Sequence, residues 1–235
     1  MRSELSTFSK LDEATALEAA ALGWGPHEID TLLTYTNELR GCHGAGPLSW
    51  DERLADSCLA IIKDQCPALK DCGLLSHPDG AAGTGAKADS YDNPASAGGP
   101  AGECIAYGSG DCVDDKPCVG QSPQEAVYSW YSEFAQYCQG SIKAPTDTAA
   151  GSSSGGEAGC NTASAGHFTA MIWKATTTMG CARSHDRQST ICRFGGPAGF
   201  TPPNMDDGHG SYAANVGAVT STCVVPAMPT YDDDS

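Results

Sequence analysis

Twelve cysteines in a chain of 235 residues constrain this protein more than any other feature. They stand at positions 42, 58, 66, 72, 104, 112, 118, 138, 160, 181, 192 and 223. Their number is even, and no two are spaced as Cys-x-x-Cys, the spacing that a zinc ribbon or a thioredoxin-type centre requires. The pattern predicts disulfides formed in an oxidising compartment. Spacing alone leaves the pairing open: Cys66 with Cys72, and Cys112 with Cys118, can clip small loops, and each can equally reach elsewhere.

The rest of the composition fits a stapled, loop-rich chain. Charged residues make up 18% of it, beside 28 glycines and 14 prolines. The length suffices for one sizeable core. Thirteen basic against 29 acidic residues give a net charge of -16. With no basic patch, nucleic acid and anionic membrane surfaces are poor partners, while metal cations are favoured. No apolar run reaches the ~18 residues of a membrane span. The first 25 residues carry Glu4, Lys10, Asp12, Glu13 and Glu18 and no apolar leader stretch. The sequence is therefore expected to stand without its leader. No N-glycosylation sequon occurs.

Along the chain, residues 1–25 read as a peripheral arm, with a weakly amphipathic, Ala-rich stretch from Leu11 to Leu22. Pro26 suits the first turn of a helix. Ile29, Leu32, Leu33, Thr36 and Leu39 follow helical spacing, and Gly41 can end it. Ser49-Trp50-Asp51-Glu52 has the form of a capping box, opening a helix with Leu54, Ala55, Cys58, Leu59 and Ile62 on one face. From Cys66 to Cys118 the chain lacks periodicity and reads as one long crosslinked loop. Ser122-Pro123-Gln124-Glu125 starts another helix, with Ala126, Trp130, Phe134 and Tyr137 as its buried stripe. Gly140 to Ala165 is low-complexity and reads as a mobile surface loop. His167 to Lys174 fits helix or strand by pattern alone. Met179–Ser184 and Ser189–Phe194 read as two strands joined by the turn His185-Asp186-Arg187-Gln188. Beyond Pro197 lies an irregular tail, with Cys223 able to tie it back and a solvated end from Tyr231 to Ser235.

Four side chains can carry chemistry. His77 precedes Pro78, which holds it extended. Glu103 sits between Gly102 and Cys104. Glu133 borders the apolar face of the third helix, either solvated at a rim or lining a cleft. His167 opens the stretch Gly166-His167-Phe168-Thr169-Ala170-Met171-Ile172-Trp173-Lys174, where a packed, satisfied histidine is the plain alternative. Brought together, two imidazoles and two carboxylates would suit zinc or another borderline divalent cation. Histidines 90 residues apart define no metal site by spacing, so that inference needs the fold.

Leu74-Leu75-Ser76-His77, Gly102-Glu103-Cys104-Ile105, Trp130-Tyr131-Ser132-Glu133 and the stretch around His167, in that order, resemble the CAP superfamily: cysteine-rich secretory proteins, antigen 5 and pathogenesis-related 1 proteins. The resemblance runs from about Glu28 to Gly199. It implies an α+β fold, a three-layer α–β–α sandwich with a small, mainly antiparallel central sheet, and a short helix at His167. The CAP domain would occupy 26–200, between the arm at 1–25 and an irregular extension at 201–235. It also implies a cleft lined by His77, Glu103, Glu133 and His167, with His77 and His167 able to hold a divalent metal, zinc foremost. The chain departs from the family pattern at Thr36, where a histidine is usual. It departs again at Cys192-Arg193-Phe194-Gly195-Gly196-Pro197-Ala198-Gly199-Phe200, which alters the last motif. The loop before His167 lacks the aromatics of sterol-binding members, which weakens the case for sterol.

The function that resemblance implies is that of a secreted, extracellular binding protein. Its partners would be a small lipid or sterol, or a protein, in defence, virulence or sequestration. The alternatives are a metal- or carboxylate-assisted hydrolase with Glu103 or Glu133 as general base, and an interaction protein whose cleft is idle. Against the hydrolase, His-Glu-x-x-His is absent and no Ser or Cys nucleophile stands in a recognisable motif.

Overall fold

The computed structural model describes residues 24–67, 72, 74–77, 101–108, 121–136, 165–184, 188–197, 203, 214–220 and 223. The arm up to residue 23, Cys112 and Cys118, Tyr137, the Gly/Ser-rich loop of 140–164, the turn residues 185–187 and the acidic end lie outside the described residues.

Helix α1 runs from Pro26 to Cys42, with Pro26 in its first turn and the Glu28 carboxylate accepting from Gly25 N at 3.0 Å. It ends two residues later than Gly41 suggested by cap position, at His43, and the left-handed turn falls on Gly44, φ 66°. Strand β1 is the pair Ser49–Trp50. Helix α2 spans Glu52–Gln65. Its cap is Asp51, which accepts from Arg53 N; the expected capping box from Ser49 is corrected, because Ser49 is held in β1. Leu54, Ala55, Cys58, Leu59 and Ile62 form its buried face, as the spacing predicts.

Strand β2, Gly102–Tyr107, corrects the reading of 66–118 as one unbroken loop. Helix α3, Pro123–Tyr131, opens on the expected Ser122/Glu125 capping box and tightens into a 3₁₀ helix over Ser132–Gln136. The short helix α4 covers Gly166–Met171, and strands β3 and β4 cover Thr178–Arg183 and Ser189–Gly195.

The four strands form one sheet in the order β1-β3-β4-β2. Only β1 with β3 is parallel; β3 with β4 and β2 with β4 are antiparallel. Side chains alternate across a sheet, and the two faces bury different layers. On one face Ile105, Ala182 and Ile191 pack with Cys58, Leu59 and Ile62 of α2. Each large aliphatic side chain buried there contributes about 1.5–3 kcal/mol. Gly180 permits that approach: a Cβ would stand 2.4 Å from both Asp51 O and Ala55 N. The other face carries Ala106, Met179 and Phe194 against Trp130, Phe168 and Trp173. Helix–sheet–helix is thus a three-layer α+β sandwich.

Disulfides Cys42–Cys223, Cys66–Cys72 and Cys181–Cys192 staple it among the described residues. The expected disulfides are present, while Cys58 and Cys104 are free and buried. Cys58 is enclosed by the α2–β3 contact, its thiol near Gly180 O at 3.5 Å. Cys104 faces a strand neighbour, Cys192, already bonded to Cys181.

The Cys42–Cys223 crosslink returns the tail onto α1, where His43 secures it. The Gly217 carbonyl can only accept, so His43 Nδ1 donates to it at 2.8 Å, and Nε2 accepts from the Tyr131 hydroxyl at 3.0 Å. Burial, with Lys174 nearby, lowers the His43 pKa. Below about pH 6.5 the unfolded chain therefore takes up a proton that folded His43 resists. Stability is expected to fall as pH drops through that window. His43→Gln should flatten this acid limb in urea titrations repeated from pH 7 to 5; an unchanged slope would assign it to other groups.

Candidate functional site

The site begins with how the segment after α2 is held. Cys66–Cys72 closes the chain just after α2. Gln65 then grips Ser76 from both sides, donating to Ser76 O and accepting from Ser76 N, each at 2.7 Å. The Tyr107 hydroxyl donates to Leu75 O. These contacts set His77 beside β2, an edge strand of the sheet.

There His77 Nδ1 meets Glu103 Oε1 at 2.7 Å. The other Glu103 oxygen accepts from Arg193 Nε at 2.9 Å. Glu103 and Arg193 are opposed residues on β2 and β4, with side chains 1% and 6% exposed. A buried carboxylate of this kind needs a charge partner, and Arg193 supplies it.

The second pair comes from the opposite layer. The 3₁₀ helix after α3 carries Glu133, and α4 carries His167 in its first turn. Helix α4 has no local side-chain cap. Glu133 serves instead from 34 residues away: its Oε2 accepts from His167 N at 2.8 Å and Phe168 N at 3.2 Å. Its Oε1 takes His167 Nδ1 at 2.7 Å. One carboxylate therefore caps a helix and orients an imidazole.

Both rings are thus presented alike. A carboxylate can only accept, so each Nδ1 carries a proton, and in the neutral ring Nε2 keeps its lone pair. Such carboxylate–imidazole pairs orient histidines that ligate metals. The structure brings His77 to Glu103 and His167 to Glu133. The buried Cys104 thiol lies within electrostatic reach of both acids, since burial first, then Glu133 and Glu103, push its pKa well above the ordinary value. Cys104 Sγ also lies 3.8 Å from His167 O. Among the described residues, no three His, Cys, Asp or Glu side chains are grouped to hold a metal ion.

The site's flanks hold residues that the sequence reading missed. Arg193 is one. Arg40 is another, fully buried, bonding the carbonyls of Gly46, Met171, Trp173 and Thr176 at 2.7–3.1 Å and so fixing the end of α4. Arg193 carried a signal, as a lone charge in the apolar run Ile191-Cys192-Arg193-Phe194, whereas Arg40, two residues after Glu38, carried none. Thr36, where the family pattern has histidine, is buried, and its hydroxyl has no hydrogen-bond partner among the described residues.

The sequence profile of the cysteine-rich secretory protein family, CAP, matches residues 33–194, which takes in all four site residues. The chain belongs to the CAP family. It is 30% identical over 147 residues to pathogenesis-related protein 1 of Arabidopsis thaliana, covering 63% of this chain and 61% of that protein. It is 26% identical over 191 residues to "Repressed by EFG1 protein 1" of Candida albicans, covering 80% of this chain and 52% of that protein. The chain therefore spans about three fifths and about half of these two relatives. Among solved structures, NaASP2 with Zn2+ is similar at 19% identity and a TM-score of 0.43, over 78% of this CAP chain and 84% of the other. No helix among the described residues of this CAP protein is long and apolar enough to cross a membrane.

Proposed function

We propose that this CAP protein is secreted and acts by binding, with His77 and His167 holding one divalent cation, zinc foremost, through their Nε2 atoms. The supporting observation is the matched pair of 2.7 Å contacts from Nδ1 of each ring to its own glutamate. When bound, the cation would supply a Lewis-acidic point with open positions for a ligand's oxygen. Glu103 and Glu133 keep the rings in the ligating tautomer. All four carboxylate oxygens already hold protein donors. This favours a binding role over a general base acting on water, which needs a carboxylate aimed at its substrate. A small lipid, or a protein surface offering an oxygen ligand, is the partner class we assign to the cleft. The cysteine-rich framework supports a secreted location.

Calorimetric titration with zinc at neutral pH tests the reading. One site is expected in the wild type, lost in His77→Ala and in His167→Ala. A flat wild-type titration, or one unchanged in either variant, removes the shared-cation claim. Fatty acid and sterol titrations with and without zinc then test the ligand class.

A further inference from the structure

The sheet places three cysteines in one row. Cys104 of β2 is directly opposite Cys192 of β4, and Cys192 is directly opposite Cys181 of β3. Directly opposed residues point to the same face, and all three belong to one packed cluster. Cys192 is the middle member, and a sulfur forms only one disulfide. In the structure it is bonded to Cys181, with Cα atoms 4.0 Å apart, while Cys104 is a buried free thiol. Opposed residues on antiparallel strands have Cα atoms about 4.5–5.5 Å apart, inside the range a disulfide spans. Cys104 and Cys181 stand two strands apart, about 9.6 Å, beyond that range.

We propose that Cys192 is a shared sulfur and that this sheet accepts a second crosslink, Cys104–Cys192, in place of Cys181–Cys192. The exchange is an isomerisation. The Cys104 thiolate attacks Cys192 Sγ, the Cys104–Cys192 bond forms, and the Cys181–Cys192 bond breaks. Cys181 leaves as thiolate and takes up the proton that Cys104 gave, so no external oxidant or reductant is consumed. Cys104 is enclosed in the folded chain, so the choice is made while the strands pair or when the sheet edge opens.

The two isomers differ beside the histidine–glutamate pairs. In the present one the disulfide clips the β3–β4 hairpin, and Cys104 Sγ rests near His167 O. In the other, the bond ties edge strand β2, which carries Glu103, to the sheet centre and withdraws Cys104 from His167. This inference stands on strand register alone and is independent of metal binding.

Disulfide mapping of the full chain by mass spectrometry tests it, with free thiols alkylated in denaturant. In Cys181→Ser, folded under oxidising conditions, Cys104 and Cys192 are expected as a linked peptide pair. In Cys192→Ser, Cys104 and Cys181 should both be alkylated. The wild type, equilibrated with a glutathione redox buffer in mild denaturant and then refolded, should yield both linked pairs. Because that arm uses the native sequence, it decides the matter if a variant fails to fold. Only Cys181–Cys192 in the wild type, free Cys104 and Cys192 in a folded Cys181→Ser, or capture of Cys104 by another cysteine, would overturn the proposal.

Discussion

Replacing Arg40 with alanine is expected to cost about 4–5 kcal/mol of stability, near the upper end for a single substitution. The side chain is fully buried, and burial pulls its pKa down to about 10, so it remains a cation at neutral pH. Burying it is worthwhile only because four carbonyls converge on one guanidinium. Those carbonyls lie in the turn after α1 and in the segment from the end of α4 to the start of β3. Each bond to a charged donor contributes roughly 1.5–3 kcal/mol, and a carbonyl left dry costs about 1–3 kcal/mol. Trp173 O keeps a second donor, Thr176 N at 3.1 Å. Part of that loss is recovered, because alanine removes the desolvated charge as well. Arg40→Lys should rescue little, since one ammonium cannot reproduce the planar fork. Denaturant unfolding with intact disulfides measures the loss. A cost below about 1 kcal/mol would mean that water replaces the guanidinium, against the packing described.

Arg40 also shows where sequence reading stops. The face of α2 was legible because Leu54, Ala55, Cys58, Leu59 and Ile62 repeat at helical spacing, and every one of them is buried. The start of α3 was legible because Ser122, Pro123 and Glu125 satisfy a purely local hydrogen-bond requirement. Strand β2 was not, because Gly102–Tyr107 lies in a Gly-, Asp- and Pro-rich stretch and its ladder partner begins at Ser189. Ser49 misled for the same reason: its local capping pattern yields to a parallel pairing with Thr178. The candidate site falls between these cases. Residue chemistry singled out two imidazoles and two carboxylates, and family resemblance grouped them. The pairing of each histidine with its own glutamate, 26 and 34 residues apart, is a property of the fold. Arg193 is farther still from Glu103, at 90 residues, and no pattern within the chain joins them.

At the proposed zinc site, Glu103→Gln is expected to lower affinity about 10–100-fold, the effect of removing a carboxylate behind a histidine that ligates a metal. Glu103 now accepts from two donors, His77 Nδ1 and Arg193 Nε. Glutamine offers one accepting oxygen and one donating amide. The Arg193 guanidinium cannot accept, so it takes the oxygen. The amide then faces His77 Nδ1, which must become the acceptor. The imidazole proton moves to Nε2, the nitrogen that would bind the cation, and binding has to reverse that tautomer. Shape is nearly conserved, so the fold should survive, but Arg193 loses its ion pair with Glu103. Breaking a buried pair in this way costs about 3–5 kcal/mol, and the retained hydrogen bond should keep the loss at the lower end. Glu103→Ala should lose both the bond and the affinity. Calorimetry gives the affinities, and nitrogen shifts of the His77 ring give the tautomer directly. Unchanged affinity together with Nε2–H on His77 would show that ring orientation, not tautomer, governs the site. Unchanged affinity with the proton still on Nδ1 would show that Glu103 has no hold on His77 at all.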